Sequence, residues 1–262
     1  MRIGNLAILI LVAIGMMGAT LPGPQSGKVQ VYLLMGQSNM AGRGRVTAEY
    51  KNMQHERVIM LTKDKAWTIA RHPIHFDKPD VAGVGPGLSF GIEMARAYPN
   101  DTIALVPCAV GGTSINKWAP GAYDKSSKTR PYDDALARIK TAMKKGTVRG
   151  VIWLQGEADS GRDSAVNTYL GKLTTLIHSI RKETGNRKLP WIAGELGTYR
   201  QRYVIFNREL ANLPLRVKHT SVITSEGLVH KGDTTHFDSK SADLYGKRFA
   251  ADMLRLQEKK LR

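Results

Sequence analysis

Two short segments far apart in the chain hold residues that could act together. In MGQSNMAGRG (35–44), Ser38 follows directly on the apolar run VQVYLLM, in a turn with more polar residues than turning requires. A serine hydroxyl is a weak nucleophile at neutral pH. It needs an adjacent base, most often a histidine that a carboxylate orients. GDTTHFD (232–238) holds both groups, Asp233 and His236, three residues apart. A short turn at that spacing lets the carboxylate reach the imidazole Nδ1 and leaves Nε2 facing Ser38. Taken alone, the same pair describes a turn cap beside a surface histidine.

Attack on an ester also needs hydrogen-bond donors for the oxyanion. The Ser38 backbone N–H is one. GGTS (111–114) offers amides at Gly111 and Gly112 that a ligand can approach closely, because no side chain stands in the way. Gln155, at the end of GVIWLQ, offers a side-chain amide. Asn39 is suited to bracing the serine loop or to meeting substrate. Trp118, just beyond the glycines, is suited to stacking on a sugar ring or to packing in the core.

These residues need elements to position them. Strand-length apolar runs occur at about 29–35, 57–62, 102–108, 150–155, 191–196 and 221–226. Most are continuously apolar, as strands buried on both faces are. Helical periodicity lies between them, over 87–98, 133–145 (Leu136, Ile139, Met143), 163–184 and about 200–212. A last helix runs from Ser239, as N-cap, with Leu244, Tyr245, Phe249 and Met253 facing inward. Alternation of this kind predicts an α/β fold, a three-layer α/β/α sandwich on a mainly parallel sheet. Ligands of such sheets sit beyond the carboxyl ends of the strands. All four polar loops fall there.

In this order GQSNMAGRG, VPCAVGGTSINKW, VIWLQGEAD and DTTHFD resemble the SGNH-hydrolase superfamily, and within it the carbohydrate esterase family 6 and sialate O-acetylesterase-like branch. The resemblance covers about 29–249. It implies Ser38 as nucleophile, His236 as general base and then acid, and Asp233 as the group orienting His236. It implies an oxyanion hole of Ser38, Gly112 and Gln155, with Gly111 the near alternative to Gly112. Glu157, in the Q-G-E block, is the alternative acid partner of His236. The implied reaction is removal of O-acetyl groups from carbohydrate without a cofactor, on acetylxylan or a similar plant polysaccharide, with O-acetyl sialic acid second. Another acyl substrate, and a non-catalytic carbohydrate- or polyanion-binding protein on the same scaffold, are the rival readings. Met40 stands where a G-x-S-x-G nucleophile elbow has its second glycine, so the α/β-hydrolase signature is absent.

The rest of the chain sets the context. The 262 residues suit one domain, placed at 26–262. Arg2 and the uncharged apolar run from Leu6 to about Ala19 read as a signal peptide over 1–25, with a retained membrane anchor as the alternative. A secreted or periplasmic location follows. The lone Cys108 excludes an intramolecular disulfide and reads as a core residue. His72, His75 and Asp77 lack a further strong ligand at suitable spacing, so no metal site is expected. Thirty-nine basic against 22 acidic residues leave a net charge of +17. Attraction to an acidic polysaccharide is the sharper reading of that charge. No nucleic-acid motif accompanies it, and no stable protein partner is expected.

Overall fold

The computed structural model describes residues 27–258. Seven strands form one sheet: β1 (Val29–Gly36), β2 (Val58–Leu61), β3 (Trp67–Ile69), β4 (Thr102–Pro107), β5 (Thr147–Leu154), β6 (Trp191–Gly194) and β7 (Thr220–Ile223). Their spatial order is β3-β2-β4-β1-β5-β6-β7. Every pairing is parallel except β2 with β3. The helices are α1 (Ser38–Ala41), α2 (Ala48–Asn52), α3 (Gly87–Ala97), α4 (Pro131–Met143), α5 (Asp163–Glu183), α6 (Gln201–Leu210), α7 (Leu213–Arg216) and α8 (Ser239–Glu258).

The central strand shows why its sequence is continuously apolar. Side chains alternate across a strand. Val31, Leu33 and Met35 of β1 join the core beneath α4, α5 and α6. Tyr32 and Leu34 join the core beneath α3 and α8. Both faces are covered, so both parities must be apolar, and the three-layer α/β/α expectation holds.

The structure departs from the sequence reading at a few places. β5 begins at Thr147 rather than near 150, continuing the pairing with β1 through an irregularity at Val31/Tyr32. β3 was not expected. It is three residues long, too short to show a period, and folds back on β2 through a turn closed by Thr62 and Ala66. Leu244 and Met143 are each 41% exposed instead of facing inward, because they lie at the edge of their helical stripes. Ser239 does not cap α8. Asp238 Oδ1 accepts from Ser241 N at 2.7 Å, while Ser239 Oγ donates to the Arg45 carbonyl. Cys108 is buried and unpaired. The N-terminal apolar run lies outside the described residues. Among those residues, no helix is long and apolar enough to cross a membrane.

Candidate active site

β1 ends at Gly36, wedged against β5. Its φ is +135°, and a Cβ there would lie 2.1 Å from the Leu154 carbonyl oxygen. Only glycine permits that approach. The next residue is pinned too, since Gln37 N donates to Leu154 O at 2.9 Å. The single turn α1 then begins at Ser38, held by Ala41 N on Gln37 O and Gly42 N on Ser38 O. Ser38 is thereby fixed at the carboxyl end of the central strand, at the floor of a cleft of about 500 Å³.

His236 arrives from the connection between β7 and α8. His236 Nε2 lies 2.9 Å from Ser38 Oγ. Its Nδ1 lies 2.7 Å from Asp233 Oδ2, and Asp233 Oδ1 accepts the N–H groups of Thr235 (3.0 Å) and His236 (2.8 Å). A carboxylate only accepts, so Nδ1 carries the proton and Nε2 is left to accept from the serine. Burial raises the Asp233 carboxyl, but those three donors outweigh it and hold the group at about 2. Burial pushes His236 below its ordinary value, against the opposing pull of Asp233. At neutral pH the pair is carboxylate and neutral imidazole, the state a general base requires.

Asn39 keeps this loop in register. Its Oδ1 accepts from Phe237 N at 3.0 Å, and its Nδ2 donates to Thr235 O at 3.0 Å. The residue after Ser38 thus grips the chain on both sides of His236. Asn39 Nδ2 also donates to Glu157 Oε1 at 2.5 Å. Glu157 is buried, its carboxyl raised by that burial against the Asn39 bond, and Asn39 rather than His236 meets its carboxylate. The structure therefore gives the place beside His236 to Asp233. Asn39, 4% exposed with its amide engaged, is a brace and does not face substrate.

The oxyanion candidates separate in the same way. Gly111 N donates to Asp77 Oδ2 at 2.8 Å, so its amide is taken. Gly112, with φ +84°, lines the cleft beside Ser38. Gln155 does not line it. Gln155 is fully buried, with Nε2 donating to Asp159 Oδ2 (2.6 Å) and Thr113 O (3.1 Å) and Oε1 accepting from Tyr169 (2.8 Å). The sequence places it at the right strand end, but the strand end lies below the cleft floor. Trp118 is likewise no sugar platform. It is 2% exposed, packs edge-on to Trp153 with centroids 5.1 Å apart, and reaches Thr113 Oγ1 through Nε1.

Residues 28–255 match the family described as carbohydrate esterase, sialic acid-specific acetylesterase. The chain belongs to that family. A probable carbohydrate esterase of Arabidopsis thaliana, At4g34215, is 28% identical over 249 residues, covering 86% of this chain and 92% of the relative. The X-ray structure of the Arabidopsis AT4G34215 protein superposes with a TM-score of 0.77 at 26% identity, over 87% of this chain and 98% of that one. NanS shares the fold with a TM-score of 0.72 at 17% identity, over 89% and 99% of the two chains.

Two features of this carbohydrate esterase were not legible in its sequence. One is the support of the glycine loop. Asp77 links Gly111 N to Arg43, whose Nη2 lies 2.8 Å from Asp77 Oδ2 with both side chains buried. Burial raises the Asp77 carboxyl, and Arg43 outweighs it and holds the group ionised. His72 and His75, the neighbours that suggested a ligand cluster, are core residues. His72 packs edge-on to Tyr50, and His75 Nε2 lies 3.4 Å from the Leu34 carbonyl. The other feature is a basic lining, in which Arg43, Lys78, Arg202 and Lys231 share the cleft with Ser38 and His236. They come from four separate segments, so no local run of sequence announces them.

Proposed function

We propose that this esterase removes O-acetyl groups from carbohydrate through an acetyl-enzyme on Ser38. The observation that carries the reading is the continuous chain Ser38–His236–Asp233, at 2.9 and 2.7 Å, in the floor of the cleft. His236 Nε2 takes the Ser38 proton as Oγ attacks the acetyl carbonyl. The oxyanion of the tetrahedral intermediate faces the N–H groups of Ser38 and Gly112. Collapse breaks the bond to the sugar oxygen, which leaves as a hydroxyl with the proton from His236. Water, deprotonated by His236, then attacks the acetyl carbon, and acetate departs as Ser38 regains its proton.

The lining supports an acidic sugar. Arg43 is neutralised by Asp77, and Lys231 lies 3.9 Å from Asp233. Lys78 and Arg202 have no carboxylate within ion-pair distance among the described residues, and they offer charge to a substrate carboxylate. Uronate-bearing acetylxylan or pectin fits this, as does O-acetyl sialic acid, which the family description favours. The apolar run after Arg2 supports export of the mature protein, which cell fractionation checks.

The experiment is acetate release from acetylated glucuronoxylan, acetylated pectin and O-acetyl sialic acid, each with a carboxyl-reduced counterpart. Wild type should release acetate, with higher KM on the reduced substrates, and Ser38→Ala should release none. Equal KM for charged and reduced substrates removes the acidic-sugar reading. Activity surviving in Ser38→Ala removes the serine mechanism.

A further inference from the structure

HKGDTTHF (230–237) closes on itself as a tight turn. His230 and Phe237 form an antiparallel bridge, and Lys231 N donates to His236 O at 2.9 Å. The residues between them reverse the chain in costly backbone conformations, with φ +114° at Gly232 and +55° at Thr234. Glycine takes such angles freely, but a β-branched threonine does not. The turn therefore needs a group that holds it.

We infer that His230 is a positioning residue for the Asp233–His236 pair, and that it acts only while its Nδ1 carries no proton. The inference rests on the serine-esterase reading of Ser38.

His230 Nδ1 lies 2.9 Å from Gly232 N and 3.2 Å from Thr234 N. Backbone N–H groups only donate, so Nδ1 accepts from both and the neutral ring keeps its proton on Nε2. The ring thus fixes the residues on either side of Asp233. Asp233 in turn accepts from Thr235 N and His236 N and meets the His236 ring. One histidine shapes the turn, and the turn presents a carboxylate to the other.

The His230 ring is itself seated. Tyr199 meets it edge-on with centroids 4.8 Å apart, and Tyr199 Oη donates to Leu228 O at 3.1 Å. From the connection before α6, Arg200 donates to Thr234 O at 3.1 Å and to Thr234 Oγ1 at 2.9 Å. From α8, Ser241 Oγ accepts from Val229 N at 2.8 Å. The charged groups around the ring are Lys231, Asp233 and Asp238 of the loop, and Arg200. Both carboxylates are engaged, Asp233 as above and Asp238 on Ser241 N, so neither replaces Nδ1 as acceptor. A proton on Nδ1 sets a donor against two donors. Both bonds are lost, Thr234 is released from its left-handed conformation, and Asp233 is no longer held beside His236.

Two substitutions separate the acceptor from the packing. His230→Asn keeps an acceptor the same number of bonds from the backbone, and that acceptor does not titrate. His230→Phe keeps the edge-on contact with Tyr199 and has no acceptor. With p-nitrophenyl acetate at pH 8, His230→Phe should lower kcat by about 10–10²-fold with an unchanged melting temperature, since small displacements at reacting groups are costly. His230→Asn should stay within threefold of wild type. On the acid side, wild-type kcat/KM should fall more steeply than one protonation allows, because His230 and His236 must both be neutral. His230→Asn should return that limb to the slope of a single proton.

His230→Phe within threefold of wild type would overturn the assignment. So would His230→Asn as impaired as His230→Phe, which would leave the ring a packing role. A single-proton limb shared by wild type and His230→Asn would remove the requirement for an unprotonated ring. Ser38→Ala separates the two levels. If that variant stays active, the serine reading and this inference both fail. If it is inactive while His230→Phe is normal, only this inference fails.

Discussion

Replacing Asp233 by asparagine tests how the base is held, and the structure dictates what the new amide must do. Asp233 Oδ1 accepts two backbone N–H groups, at 3.0 and 2.8 Å. An NH₂ placed there would meet both donors and forfeit two hydrogen bonds, each contributing about 1 kcal/mol. The asparagine oxygen therefore stays on the backbone, and its nitrogen takes the place of Oδ2 beside His236 Nδ1. That nitrogen only donates, so Nδ1 must accept and the ring proton moves to Nε2. Nε2–H then points at Ser38 Oγ and cannot take its proton. Loss of the correct tautomer corresponds to about 10³–10⁴ in kcat, or about 4–5.5 kcal/mol. Asp233 is 38% exposed on its side chain, so water screens its purely electrostatic contribution, but solvent does not restore the tautomer. The assay is kcat/KM on p-nitrophenyl acetate from pH 5 to 9, with a melting curve to confirm folding. In the wild type the acid limb should fall below pH 6.5, because burial lowers His236 and the neutral ring persists as pH drops. Glu157→Gln keeps an acceptor for Asn39 and should lose less than about tenfold. A mild loss for Asp233→Asn, with a severe one for Glu157→Gln, would refute the reasoning.

Stability should decline as pH falls from 6.5 toward 4. Burial holds His72 and His75 neutral, each lowered to about 4, with Asp243 opposing at His72 and Asp77 opposing at His75, where Arg43 and Arg138 assist burial. Across that window the unfolded chain takes up protons the folded chain refuses, so each ring removes up to about 1.4 kcal/mol per pH unit. Urea midpoints at pH 7 and pH 5 measure the slope, which His72→Phe should reduce; a slope that the variant leaves unchanged contradicts the assignment of His72. Trp118→Phe should cost about 1–3 kcal/mol of stability through lost packing against Trp153, with KM for acetylated sugar unchanged. A KM rise of tenfold at unaltered stability would return Trp118 to the substrate.

The sequence discloses what periodicity and strand-end position carry. The parallel sheet is readable because each core strand needs apolar residues of both parities. The meeting of Ser38, Asp233 and His236 is readable because a serine–histidine–carboxylate arrangement restricts residue type, and because Asp233 and His236 are near neighbours in the chain. The departures have a common origin. Gln155 lies at the expected loop but not in the cleft, and Asn39 and Trp118 take the bracing and core alternatives that the sequence left open; whether a loop side chain faces cleft or core depends on a strand end's height relative to its neighbours. Gln155 follows β5 and sits beneath Thr113 and Gln37; Trp118 turns inward to Trp153. No local spacing encodes that height. Asp77 was missed for a related reason, because its partners Arg43 and Gly111 are each 34 residues away.

The arrangement also explains a division of labour within GQSN. Ser38 stands at the carboxyl end of β1, in the middle of the sheet, while His236 comes from a loop in which Lys231, Gly232, Asp233 and Thr234 are exposed. A general base works only within hydrogen-bond reach, so this loop must be tied to the sheet. Asn39 is the tie, gripping Thr235 and Phe237 from the residue next to Ser38, and Glu157 fixes which way its amide turns. Gly36 allows the turn against β5, Gln37 is pinned to Leu154, Ser38 meets His236, and Asn39 holds the loop that carries His236. Four consecutive residues thus set the positions of groups drawn from β1, β5 and the loop before α8. That is why so short a segment carries more polar side chains than its turn requires.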